Sequence, residues 1–312
     1  MTRDDIEAVA ALASACVRAA APRKGYAHPG DVRWRTYGPR ATEPDAEDAR
    51  LWIDGAGVVA AAWFDAPTLD FLVRPDATLA PLAEAAVAWA ETRRAASGGA
   101  AALTTPVRVS DAERAEVLRD LGFGAARPAG TQFAYPLAAP LPAALLPSGA
   151  QLRHATDADI EARASLHRRA WSVWGPSSAS AANYRAMRAA PGYDATLDLV
   201  LEWRGELLSY CVCWADEASG TAIFEPVGTN RDYAGHGFAR AVLAEGLYRL
   251  RARGLHTAFV GTSAVNERAL ALYPTFGFRE VDTLVHWERR AEARQRYRDS
   301  VQADPVPDSE PR

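Results

Sequence analysis

The sequence predicts an α/β protein of two related domains, each an α+β arrangement of helices on a mixed sheet. Three observations predict it. The same order of strands and helices can be read twice along the 312 residues, a length that suits about two domains. Pro136, Pro140, Pro142 and Pro147 crowd the stretch between the copies, as in a stiff linker. Two short signatures recur in register: Asp111–Phe123, "DAERAEVLRDLGF", parallels Asn266–Phe278, "NERALALYPTFGF" (aligned on Asp111 and Asn266), and Val73–Asp76 parallels Thr229–Asp232.

In the first copy a helix is expected near residues 4–21, where apolar residues recur at helical spacing. Strands are expected near Arg33–Tyr37, Leu51–Asp54, Gly57–Asp65 and Thr68–Val73, from alternation and branched or aromatic content. A helix follows near Leu79–Ala96, then strand "AALTT", helix "SDAERAEVLRDL" and strand "TQFAYP". The second copy opens on strand "QLRHA", after which Thr156 or Asp157 caps a helix to about Arg169. "WSVWGPSSAS" reads as a loop before a helix near Ala181–Ala189. Three strands then turn at Arg204-Gly205 and Ser219-Gly220, and "GFARAVLAEGLYRLRARG" is a helix that stops at Gly254. Strand "TAFVGT", helix "NERALALYPTF" and strand "TLVHWER" complete the order. The expected divisions are residues 1–135, a linker at 136–150, a second domain at 151–290, and a polar, proline-bearing tail at 291–312 that reads as disordered.

Net charge is −4, and neither half is basic, which argues against a nucleic-acid-binding module. Three cysteines, Cys16, Cys211 and Cys213, make an odd set, two of them one residue apart on an expected strand. That pattern suits reduced core cysteines in a cytoplasmic protein better than a disulfide or a metal site. No run of about 20 apolar residues offers a membrane span. Asp4, Asp5 and Glu7 give the N-terminus no resemblance to a signal peptide.

The stretch "GTNRDYAGHGFAR", Gly228–Arg240, lies where a branched strand turns into a helix. Helix N-termini leave N–H groups unpaired and partly positive, and glycines there let a phosphate approach the backbone. A plain strand–helix turn would explain the glycines equally well. About thirty residues on comes Asn266-x-x-Ala269-x-x-Leu272-Tyr273-x-x-x-Gly277-Phe278. Together these motifs resemble the GCN5-related N-acetyltransferase (GNAT) superfamily, whose signatures are Q/R-x-x-G-x-G/A and N-x-x-A-x-x-L-Y-x-x-x-G-F. The resemblance is strong over about residues 151–290 and weak over 1–135. In architecture the chain resembles tandem acetyltransferases such as mycothiol synthase.

The resemblance implies acetyl-CoA as cosubstrate, with no metal. It places the pyrophosphate at Ala234, Gly235, His236, Gly237, Phe238, Ala239 and Arg240, although Ala234 stands where the family has Gln or Arg. It places the pantetheine arm along Val227, Gly228 and Thr229, and counts Asn266 and Ala269 among the cofactor-binding residues. Pro226 has no N–H and fits a local break in that strand. Tyr273 matches the family's general acid. Glu225 lies where a base or water-organising residue is commonly found, and a carboxylate between Phe224 and Pro226 is suited to a raised pKa. A salt-bridged strand-end glutamate is the other reading. The N–H of Val227 is the candidate oxyanion donor.

Trp171, Trp174, Tyr184 and Trp214 form a candidate acceptor pocket, or else a tryptophan-rich core. In the first copy Pro81 stands against Gly237, Leu118 against Tyr273 and Asp111 against Asn266, so that copy is expected to be degenerate and structural. The expected activity is direct acetyl transfer to a small-molecule amine in a ternary complex, by a monomer or homodimer. Two other readings stay open: a non-catalytic protein that binds acyl-CoA or sequesters a ligand, and an aminoacyl-tRNA-dependent transferase.

Overall fold

The computed structural model of the chain describes residues 1–38, 48–99, 101–175 and 177–289. The expected tail at 291–312 lies outside them. In the first half the elements are α1 (Arg3–Ala20), α2 (Pro29–Tyr37), β1 (Ala49–Asp54), β2 (Gly57–Asp65), β3 (Thr68–Val73), α3 (Leu79–Ala96), β4 (Thr104–Arg108), α4 (Ala112–Asp120) and β5 (Phe123–Pro136). In the second they are β6 (Ala150–His154), α5 (Ile160–Trp171), α6 (Ala181–Arg188), β7 (Asp198–Trp203), β8 (Glu206–Asp216), β9 (Thr221–Thr229), α7 (Phe238–Ala252), β10 (Thr257–Ser263), α8 (Glu267–Phe276) and β11 (Arg279–Arg289). The order from α1 to β5 repeats that from α5 to β11, with β6 added in front.

One expectation is corrected. Residues 33–37 belong to helix α2, not to a strand. The alternation in Arg33-Trp34-Arg35-Thr36-Tyr37 resembles a strand, but the start signal lies upstream. His28 caps the helix, Pro29 takes its first turn, and Asp31 accepts from the His28 N–H at 2.7 Å. Trp34 and Tyr37, three apart, then share one helix face and pack against the same core cluster. Smaller differences concern ends: β4 starts later than "AALTT", and β5 and β11 start earlier than expected. Thr156 caps a short 3-10 turn at Asp157–Asp159 that leads into α5.

All strands among the described residues join one sheet, in the order β1-β2-β3-β4-β11-β5-β10-β9-β8-β7-β6. The last strands of the two halves are exchanged. Thus β11 pairs antiparallel with β4, while β5 pairs antiparallel with β10, and the two lie side by side at the centre. On one face α7 and α8 cover a core of Leu, Val and Phe residues that includes Phe133 and Tyr135 of β5. On the other face α2 crosses from the first half onto β8 and β9. Gly30 lies so close there that a Cβ would sit 2.4 Å from the Cβ of Trp214. Polar contacts tie the halves along the same seam: Ser14 Oγ donates to Asp216 at 2.7 Å, and His28 Nε2 lies 3.2 Å from Thr221 Oγ1. Cys211 and Cys213 are buried in the core, and Cys16, also a free thiol, is half-buried.

Candidate active site

Strands β9 and β10 are parallel neighbours only at their starts. Pairing runs from Thr221 and Thr257 to Ile223 and Phe259 and then stops. Across β8 the register slips between Cys211 and Cys213, so β9 carries an extra residue around Glu225-Pro226. Such a bulge bends the strand, and Pro226 loses no hydrogen bond by lacking an N–H there. The Asn230 N–H donates to Leu208 of β8 at 2.8 Å. Because antiparallel residues alternate in direction, Gly228 also faces β8, while Val227 and Thr229 turn their N–H and C=O toward the gap. An extended ligand would meet an open strand edge there.

The gap leads to the start of α7. Gly235 (φ 85°) and Gly237 (φ 80°) are left-handed, and a Cβ on either would meet no atom within 4 Å. The first amides of the helix, Gly237, Phe238, Ala239 and Arg240, donate to no acceptor among the described residues; nor does that of Gly235. The Ala234 and His236 amides are engaged within the loop, with Arg231 O at 3.1 Å and Tyr233 O at 3.4 Å. Phe238 is buried and anchors the helix start against Trp203 and Tyr233. Arg240 is exposed, its guanidinium over the Phe276 ring and 3.3 Å from Thr275 Oγ1. Five free amides beside open space suit a diphosphate, and the splayed edge suits a pantetheine arm. The residues present therefore fit acyl-CoA.

Asn266 caps α8, its side chain accepting from the Ala269 N–H at 3.3 Å. Two turns after this cap, Tyr273 packs between Phe133 and Phe278, with ring centroids 5.5 and 5.7 Å away. Its hydroxyl bonds to no group among the described residues. Burial, then the nearby Glu225 charge, raise its pKa. Burial likewise pushes Glu225 up to about 8, with Asp31 adding to the rise and Lys24 opposing it. The structure thus brings Tyr273 and Glu225 within each other's field.

Glu225 opens on a cavity of about 340 Å³. Its other walls come from the first half, among them Lys24, Asp31, Trp34, Arg35, Trp63 and Arg114. No motif marked these residues in the sequence, because the segment between α1 and α2, α2 itself, β2, β3, β4 and α4 meet Glu225 of β9 only in the folded chain. None of the four aromatic residues read as an acceptor pocket lines this cavity, and Tyr184 and Trp214 belong to one core cluster instead. Trp214 is fully buried, and its Nε1 donates to the Glu225 carbonyl at 2.7 Å. Tyr184 is buried and donates to Asp198. Trp171 stacks on His167 and donates to the Tyr210 hydroxyl at 2.9 Å, and Trp174 is exposed. A space beside Tyr184 and His167 measures about 20 Å³, enough for about one water.

The first half shows what its own gap has become. Strands β3 and β4 pair only at Thr68 and Thr104, so they part as β9 and β10 do. Arg74 N–H donates to Val59 of β2, and by the same alternation Phe71 and Val73 face the gap. Both carbonyls are occupied. Arg114 Nη1 donates to Phe71 at 3.3 Å and Cys16 Sγ to Val73 at 3.3 Å. The glycine loop is missing too: five residues separate β3 from α3, against eight between β9 and α7. Pro81 therefore sits at the third position of α3 rather than opposite Gly237. Leu118 does hold the place of Tyr273, seven residues after the capping Asp111.

Among the described residues, no helix is long and apolar enough to cross a membrane, and no three His, Cys, Asp or Glu side chains are grouped to hold a metal ion. Residues 163–278 match the acetyltransferase (GNAT) family. No curated protein matches the sequence. Solved structures share the fold across both halves. A GCN5-related N-acetyltransferase from Sphaerobacter thermophilus is 21% identical with a TM-score of 0.60, over 93% of this chain and 94% of that one. A tandem GNAT protein from the clavulanic acid biosynthesis pathway is 21% identical with a TM-score of 0.59, over 92% of this chain and 96% of that one. A GCN5-related N-acetyltransferase from Kribbella flavida is 15% identical with a TM-score of 0.52, over 78% of this chain and 90% of that one. The chain carries an acyltransferase domain of the GNAT family in its second half, set in a tandem GNAT fold.

Proposed function

We propose that the chain transfers an acetyl group from acetyl-CoA directly to a small-molecule amine in a ternary complex. In this reading the chemistry belongs to residues 151–290, joined by the linker at 136–150 to a degenerate copy at 1–135. One contrast carries it: the β9 edge and the α7 amides are open, whereas the corresponding β3 edge is filled by Arg114 and Cys16.

Bound acetyl-CoA supplies a thioester whose carbonyl carbon an amine attacks, forming C–N and breaking C–S. Glu225 takes the proton that the amine loses, directly or through a water, and its raised pKa suits a base near neutral pH. The Val227 N–H faces the gap and stabilises charge as it develops on the carbonyl oxygen. Tyr273 gives its proton to the departing sulfur, and its raised pKa keeps it protonated until then. The products are an amide and free CoA thiol.

The direct test follows thiol release from acetyl-CoA across a panel of small amines. Wild type should release thiol with some of them, and Tyr273→Phe should do so far more slowly. Tight acetyl-CoA binding with no release across the panel would instead indicate a sequestering protein.

A further inference from the structure

We propose that the acceptor carries a carboxylate as well as its amine, and that Arg114 of the first half receives that carboxylate in the cavity that Glu225 also lines. The proposal rests on the transfer reading above and names its substrate class.

The cavity's charges support it. Lys24 is paired with Asp31, and Arg35 with Asp70. Once these pairs are set aside, the charged groups on the wall are Arg114 and Glu225. Arg114 is only 4% exposed and makes no ion pair among the described residues. Its guanidinium lies between the rings of Tyr26 and Phe71, at 3.6 and 4.0 Å from their centroids, which fixes its plane. Nη1 is used on Phe71, Nε is buried without an acceptor, and Nη2 has no acceptor among the described residues. A buried guanidinium with unused donors is poorly satisfied until an anion reaches it, and a carboxylate matches its fork. Glu225, which lines the same cavity, suits the amine. A volume of about 340 Å³ is at the small end of ligand pockets, which suits a molecule of amino-acid size.

The test uses the full chain, acetyl-CoA, and amino acids matched with their carboxamides, plus simple amines and amino sugars without a carboxylate. Rates are compared as kcat/KM for the unprotonated amine. Acids should be favoured over their carboxamides by about 10- to 100-fold, the value of a charge-assisted pair. Arg114→Met should erase that preference by raising KM for the acids far more than for the carboxamides, while acetyl-CoA affinity stays within about threefold. Arg114→Lys should keep part of the preference. If Arg114→Met does not fold, the wild-type comparison and Arg114→Lys still decide. Equal use of acids and carboxamides, or turnover only of amines without a carboxylate, would overturn this inference and leave the transfer reading standing. No thiol release with any amine would bring down the transfer reading and this inference together.

Discussion

Arg114 and Ala269 hold the same place in the two halves of the molecule. Each is the third residue after the cap of its helix, and each donates its N–H to that cap, to Asp111 at 3.1 Å and to Asn266 at 3.3 Å. From there the arginine reaches across to the Phe71 carbonyl on the parted edge of β3, while the alanine methyl leaves the matching edge of β9 open. Arg114, together with Cys16 on the Val73 carbonyl, thus fills one cleft where the other stays open.

Ala269→Arg should therefore close the second cleft as Arg114 closes the first. Saturating acetyl-CoA, at about 100 times its Kd, stabilises a protein by about 2.7 kcal/mol, a rise of several degrees in Tm. The variant should fold and lose that rise. An undiminished shift would mean that the ligand does not run along Val227 and Thr229.

Tyr273→Phe removes the phenol and keeps the ring between Phe133 and Phe278. General acids typically contribute about 10²–10⁴ in rate, so kcat should fall by at least about a hundredfold. Acetyl-CoA affinity by calorimetry should change less than threefold. Full activity would remove Tyr273 from the mechanism.

The pH profile should report Glu225. As a base it must be ionised, so with its pKa at about 8 activity should climb roughly tenfold per unit below that pH and level off above it. An amine of pKa below about 6 keeps the substrate from titrating in that window. Glu225→Gln should be slower and lose this limb.

Acid should destabilise the fold through two histidines. Burial holds His28 down at about 4 and His167 at about 3. In the unfolded chain both titrate near about 6.5. Between these values the unfolded state binds more protons, so stability present above pH 6.5 is lost as pH falls, by at most about 1.4 kcal/mol per unit for each. Urea midpoints at pH 7.5 and pH 5 measure this. His167→Gln should flatten the dependence even if it lowers stability at pH 7.5.

Two glycines of the second half should fail differently when changed to alanine. At Gly246 the new Cβ would lie 2.4 Å from Phe224 Cε1. Overpacking of about 1–3 kcal/mol outweighs a helix-propensity gain of about 1 kcal/mol, so Tm should fall. At Gly237 the space is open but φ is 80°. Strain of about 1–2 kcal/mol should reach acetyl-CoA affinity through the displaced amides, beyond its effect on Tm.

The sequence by itself determined what depends on neighbours along the chain. Alternation and helical spacing gave every strand and helix of the second half, because those periods are local consequences of backbone geometry. Its glycines marked the loop before α7, and spacing alone aligned Asp111 with Asn266 and Leu118 with Tyr273. Only the tertiary structure decided the exchange of β5 and β11, the crossing of α2 onto β8 and β9, and the first-half walls around Glu225. Those features join residues as far apart as Ser14 and Asp216, separated by 202 positions. Such contacts are selected by burial and shape across the whole sheet, and no local spacing records them. Even Arg33–Tyr37 shows the limit, since its alternation suited a strand until a cap five residues upstream and a partner sheet from the other half made it a helix.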